Sequence, residues 1–381
     1  MNASDAVVFL RTMIEIPSPS GGEQALAAYL AERLSQLGFQ SSIDEVGNVI
    51  ARRGNPSGPL ICLLGHIDTV AQQIAVRQTD TLLYGRGAVD AKGPLATMIL
   101  AAAEAEIADA QLLVVGAVEE ETPGSRGARH LLDRYDPDLV IIGEPSDWSS
   151  LVIGYKGRVG IRYQVCRPPT HMAGPGEKAT EVAIAFWNQL TAYMDGLAGD
   201  ERLFYRPTAT LGAFSGTIEA AQLDISFRIP PNFDLNALDQ FLASIRGDAE
   251  IECDERTPAV LMERSTSPAR ALIGSIRAYG GKPSFKVKTG TSDMNTVHER
   301  WHVPMVAYGP GDSSLDHSAE EHIVIAEYLR AIDVLREALR RLSLELCEDR
   351  ARAAAVVEDD VYTAEETEEL TRRLEALGYF E

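Results

Sequence analysis

Cysteine is scarce and scattered. The four in the chain, Cys62, Cys166, Cys253 and Cys347, have no paired spacing, which excludes a zinc ribbon or a redox dithiol motif and points to buried thiols in a reducing compartment. Positive charge is also in deficit: 35 Lys and Arg against 56 Asp and Glu leave a net charge of −21. Nucleic-acid binders need a positive field, so that class is excluded. No apolar run reaches membrane length, and the start lacks a basic segment followed by an apolar one, so a cytoplasmic protein with no membrane partner is expected. A phosphate loop is missing too, because Gly85, Gly87 and Gly93 lack the preceding strand and the full spacing.

What is present is a soluble globular composition in a chain of 381 residues, long enough for two domains. The apolar run Leu60 to Leu64 reads as a buried strand that ends on His66 and Asp68. Leu112 to Val118 is a second such run and delivers Glu119, Glu120 and Glu121. Leu139 to Ile142 is a third and delivers Glu144. Three parallel strands then carry imidazole or carboxylate at one edge of one sheet, the edge where open α/β sheets place their chemistry. A glycine-rich approach brings Asp90 ahead of an Ala-rich helix, 95–106. Near the N-terminus Ser20 and Glu23 form a capping-box pattern for a helix whose natural stop is Gly38.

From about Gly157 the pattern changes to strand, helix, strand, strand, helix, strand, the split βαβ or ferredoxin-like order. After Pro268 the helix and strand alternation resumes, and Asp316 and His317 open a helix expected to run to about Leu346. The expected fold is α/β: a mixed, mostly parallel sheet with helices on both faces over residues 1–156 and 267–346, interrupted by a βαββαβ unit at 157–266. Residues 347–381 form an acidic tail of solvated composition, with a helical apolar spacing from Ala364 to Leu377.

His66, Asp90, Glu121, Glu144 and His317 supply two terminal ligands for each of two Zn²⁺ ions and one bridge, the donor set of two-metal hydrolases with ions roughly 3.5 Å apart. Asp68 is left to accept the second ring N–H of His66, and Glu120 to take a proton from metal-bound water. Clustered carboxylates need a cation to be tolerated.

His66-Ile-Asp68, the run from Gly85 to Gly93 around Asp90, the Glu run, Gly143-Glu144-Pro145-Ser146 and Asp316-His317 together resemble the motif series of the dinuclear zinc aminoacylase/carboxypeptidase superfamily. The match extends from about residue 5 to 346. The resemblance implies that His66 and Glu144 hold one ion, Glu121 and His317 the other, that Asp90 bridges them, and that Asp90-Ala91 is a cis peptide. It implies a homodimer in which the inserted unit serves as dimerisation and lid domain and His171 reaches the partner's site to steady the oxyanion. Arg228 and the loop Gly290, Thr291 and Ser292 are similar to the family's substrate-carboxylate contacts. The superfamily reads Asp-Glu-Glu where this chain has three glutamates. One register makes Glu120 the base and Glu121 the ligand; the other assigns those roles to Glu119 and Glu120.

Within the superfamily, Ile153 to Arg158, Lys288 to Asn295 and the short length look most like the amino-group carrier protein-lysine hydrolases of lysine biosynthesis, whose ornithine-releasing counterparts serve arginine biosynthesis. The resemblance implies release of lysine, or ornithine, from the C-terminal glutamate side chain of an acidic carrier protein, with two Zn²⁺ per subunit or Co²⁺ in their place. An acidic carrier calls for a locally basic rim, for which Arg52, Arg53, Lys156 and Arg158 are candidates. Asp293 is a candidate partner for the lysine ammonium. The alternatives are a deacylase of N-acetylornithine or N-succinyl-diaminopimelate, and a binding protein that has lost turnover.

Overall fold

The computed structural model describes residues 2–197, 202–359 and 372–373. Its largest sheet has nine strands. From one edge the order is Gln40–Ile43, Val49–Gly54, Gln111–Ala117, Leu60–His66, Leu139–Gly143, Met305–Ala307, Ser150–Tyr155 and Val260–Leu261, with Ser284–Lys288 also paired to Ser150–Tyr155. The four central strands run parallel, whereas both flanks contain antiparallel pairs. The central strands are apolar throughout because both faces are covered. Ile61 and Leu63 pack into the core under the helices Ala3–Glu15, Gln24–Gln36, Lys92–Glu104 and Ser267–Ala278, while Cys62 and Leu64 pack into the opposite core with residues of Arg126–Leu131 and Asp293–His298.

A row of glycines sets the depth of the site. Gly65 lies opposite Gly116 on one side and Gly143 on the other. A Cβ at Gly143 would come within 2.9 Å of Met98 Sδ, and one at Gly116 within 2.8 Å of the Ile67 side chain. The row therefore lets the helix Lys92–Glu104, buried from Lys92 to Ala102, lie close against the strand ends.

The second sheet is antiparallel, in the order Thr208–Gly216, Ala220–Ile229, Gly157–Cys166, Glu250–Thr257. With the helices Ala179–Gly196 and Leu235–Ile245 it is the expected ferredoxin-like arrangement. Alternation along Ala220–Ile229 buries Leu223, Ile225, Phe227 and Ile229 against the helices and leaves Ser226 and Arg228 on the other face. Arg228 pairs directly with Arg158 across the strands, and Arg158 with Thr257.

Three local expectations change. The Ser20 and Glu23 capping box does not form: Glu23 makes no side-chain cap bond, its carboxylate accepts instead from the Gly21 and Glu119 amides, and the Ser20 hydroxyl donates to Asp68. His317 does not open a helix, because a short strand, His322–Val324, pairs with Leu82–Tyr84 before the helix starts at Ile325. That helix runs past Leu346 to Asp359. The Ala, Arg and Glu content that reads as solvated also forms helix well, with an Arg352–Glu348 pair one turn apart and Arg350 tied to Asp138 at 3.0 Å. The spacing noted over 364–377 lies outside the described residues, apart from 372 and 373.

Candidate metal centre

His66 ends one central strand, the glutamate run follows its neighbour, and Glu144 follows the other neighbour. After Val118 a left-handed residue, Glu119 at φ 56°, turns the chain. The carboxylate of Glu119 is thereby sent outward, where Arg126 Nε and Nη2 donate to it at 2.9 and 2.6 Å. The amides of Glu120 and Glu121 turn inward and donate to Asp68 Oδ1 and Oδ2, each at 3.0 Å. Asp90 comes from the loop before the central helix, and its bond to Ala91 is cis. His317, also left-handed at φ 59°, comes from the loop beyond the inserted unit.

Among the described residues two groups of three ligand-type side chains result, each with its donor atoms within 4.8 Å of one another: His66, Asp90 and Glu144, and Asp90, Glu121 and His317. Asp90 is common to both. Its Oδ1 lies 3.1 Å from His66 Nε2 and its Oδ2 3.2 Å from His317 Nε2, so each oxygen faces a different imidazole. Glu121 Oε1 is 2.9 Å from His317 Nε2, and Glu144 Oε1 is 3.8 Å from His66 Nε2.

Burial pushes the Glu144 carboxyl up to about 8, with the charge of Asp90 adding to it. Glu120 is raised well above the usual carboxylate range, first by burial and then, against His66, by Glu144, Asp293 and Glu121. His317 is pushed up to about 10 by its hydrogen bonds to Asp90 and Glu121. Carboxylates crowded in this way stay ionised at neutral pH only beside positive charge. Paired imidazole and carboxylate donors around one shared carboxylate suit two divalent ions of the zinc type, so the residues fit the implied metal pair.

Asp68 lies beside His66 and pairs with its ring. The Nδ1 of His66 faces both the backbone carbonyl of Asp68, at 3.0 Å, and Oδ1 of its carboxylate, at 3.4 Å. The same carboxylate also accepts from the Glu120 and Glu121 amides and from the Ser20 hydroxyl at 2.8 Å.

A cavity of about 770 Å³ opens over the two groups, lined by the carboxylates of Asp90, Glu120, Glu121 and Glu144 and by the cations Arg158, Arg228 and Lys288. Gly290, Thr291 and Ser292 line it as well, and Arg228 Nη1 donates to Thr291 Oγ1 at 3.2 Å. His171 is exposed, accepts from the Ala173 amide and is not part of this lining. Asp293 is fully buried and off the cavity lining, its carboxyl pushed up to about 7 by burial. The four basic candidates do not form one rim. Arg158 lines the cavity; Lys156 is buried and donates to the Arg206 carbonyl; Arg53 donates to the carbonyls of Ala102 and Ala105; Arg52 lies over the Tyr135 ring.

The model of peptidase family M20/M25/M40 matches residues 62–341. The chain belongs to this family. M20 enzymes are metal-dependent hydrolases, and this chain is one of them. It is 42% identical over 358 residues to a LysW-lysine hydrolase of Deinococcus radiodurans, covering 90% of this chain and 98% of that protein. A tripeptidase of Staphylococcus aureus shares the fold with a TM-score of 0.77 at 20% identity, over 90% of this chain and 99% of its own. A dinuclear metal binding peptidase of Bacillus subtilis superposes with a TM-score of 0.69 at 14% identity, over 90% of this chain and 98% of its own.

Proposed function

We propose that this M20 enzyme releases lysine from an acidic amino-group carrier protein by hydrolysing the amide between the carrier's C-terminal glutamate side chain and the lysine α-amino group. The observation that carries this reading is the 42% identity to a LysW-lysine hydrolase over 98% of that relative. It favours a carrier substrate over the small-molecule deacylase alternative. The presence of Glu120 and of every ligand candidate disfavours a binding protein without turnover.

His66 and Glu144 would hold one divalent cation and Glu121 and His317 a second, with Asp90 common to both groups; zinc would be the metal, with cobalt as substitute. When bound, such a pair lowers the pKa of water and polarises the scissile carbonyl. Glu120 takes the proton from the attacking water as oxygen bonds to the amide carbon, and returns it to the lysine nitrogen as the C–N bond breaks. Support for this register is that Glu119 is engaged by Arg126, whereas Glu120 lines the cavity and Glu121 meets His317. Arg228 and the Gly290, Thr291 and Ser292 loop hold the lysine α-carboxylate.

Residues 157–266 form a dimerisation and lid domain inserted between the two catalytic segments, 1–156 and 267–346, and the enzyme works as a homodimer in the cytoplasm. Among the described residues the strand Thr208–Gly216 is an edge of its sheet, and no helix is long and apolar enough to cross a membrane. His171 serves the partner's site. Mixing inactive His171→Ala with inactive Glu120→Gln subunits is then expected to restore about a quarter to a half of wild-type activity; verified heterodimers with no recovery would count against the shared site.

The function itself is tested by substrate comparison. Carrier-linked lysine is expected to be cleaved with kcat/KM at least ~10² above N-acetylornithine and N-succinyl-diaminopimelate, because a site that pairs a substrate's polar groups rejects analogues that leave them unpaired. Equal or better turnover of either small substrate would leave the general deacylase standing.

A further inference from the structure

Glu321 and Arg86 lie outside both ligand groups, yet both are almost completely buried and paired at 2.6 Å through Arg86 Nη1 and Glu321 Oε2. The other carboxylate oxygen, Oε1, accepts the backbone N–H of Val89 at 2.9 Å and of Asp90 at 3.1 Å. Arg86 is itself held by Nε donating to the Gln72 carbonyl at 2.7 Å. The Glu321 carbonyl accepts from the Gly85 amide, and the strand that follows pairs His322 to Val324 with Tyr84 to Leu82. Glu321 is four residues beyond His317. One side chain from the segment that carries His317 therefore grips the backbone of Asp90, across the chain interruption made by the inserted unit.

We propose that Glu321, braced by Arg86, is a positioning residue that sets the Asp90 carboxylate between the two ligand groups and so tunes both cation sites at once. The proposal rests on the two-cation reading. Asp90 is the residue the two groups share, and its oxygens face opposite imidazoles. A shift of its backbone moves one oxygen relative to His66 and the other relative to His317 together. The two amide bonds to a charged acceptor are directional, and the ion pair fixes the carboxylate that accepts them. A group that merely stabilised the fold would lower thermal stability without a matched change at two separate sites.

The test is Zn²⁺ titration of the full-length chain after chelator stripping, read by competition with a chromophoric chelator, with circular dichroism to confirm folding. Wild type takes two Zn²⁺ per chain. Glu321→Gln is expected to weaken both by ~10- to 100-fold, the usual consequence of losing a group that orients a ligand. His317→Ala weakens only the ion that His317 meets, and Glu320→Gln, at an exposed neighbour paired with Arg77, leaves both unchanged. A folded Glu321→Gln chain with wild-type affinities, or with one site weakened in the manner of His317→Ala, overturns the proposal while carrier-lysine cleavage by wild type stands. Should Glu321→Gln fail to fold, Arg86→Lys keeps the charge pair and loosens its anchorage to Gln72; joint weakening of ~10-fold supports the proposal, and unchanged or single-site binding refutes it. A wild-type chain that does not take two Zn²⁺ refutes the two-cation reading and this proposal with it.

Discussion

Glu120→Gln is expected to lower kcat/KM by ~10²–10⁴ while the folded chain still binds two cations, since loss of a general base removes that much. Glutamine has the size of glutamate and cannot take a proton at its amide nitrogen. Glu120 belongs to neither ligand group, so its neutral replacement leaves the donors in place. Glu121→Gln acts differently: it removes the carboxylate facing His317 and weakens one cation, with activity falling in proportion to its occupancy. Glu119→Gln costs little, because the Glu119 carboxylate belongs to neither ligand group and is engaged with Arg126. Metal analysis beside kinetics separates the three. If Glu120→Gln loses an equivalent while Glu121→Gln keeps two, the glutamate run is read one residue out of register.

The strands that carry the centre were legible because burial on both faces leaves a strong trace in sequence: a near-continuous apolar run, ended by a residue with a donor atom. Leu60 to Leu64, Leu112 to Val118 and Leu139 to Ile142 each left that trace, and the three strands are adjacent and parallel. The inserted unit was legible from its order of elements. Hydrogen-bond partnerships between distant segments leave no period to read. Ser20 matches a helix cap in sequence, and its hydroxyl instead meets a carboxylate 48 positions away. The arginine pair in the cavity lining depends on register: Arg158 and Arg228 become neighbours only once their strands pair, so Arg158 reads in sequence as a rim residue. Asp293, the candidate partner for the lysine ammonium, is buried at a helix start and off the cavity lining, a placement that an acidic residue in a loop does not show in sequence. The tail begins as helix because helix-forming and solvated compositions overlap in Ala, Arg and Glu.

Asp68→Ala is expected to reduce kcat/KM by ~10³, and the way in which the cations are lost will say why. The carboxylate is the acceptor for three donors, the Glu120 and Glu121 amides and the Ser20 hydroxyl. Removing it leaves those donors unpaired in a buried place, at a cost of about 1–3 kcal/mol each, and the glutamate turn moves to find others. The base is then displaced by an amount worth ~10² in rate, and Glu121 swings with it, so the cation of Glu121 and His317 weakens by ~10- to 100-fold. The cation of His66 and Glu144 is expected to keep its affinity, because His66 Nδ1 faces the Asp68 backbone carbonyl, which alanine retains. Asp68→Asn, with one acceptor oxygen left, falls between. The discriminating measurement is which site empties first on chelator titration of the Asp68→Ala chain. Loss of the His66 and Glu144 cation, with the other intact, would mean that the carboxylate at 3.4 Å from the ring orients the imidazole after all, and that the turn carrying Glu120 and Glu121 is held by its own backbone.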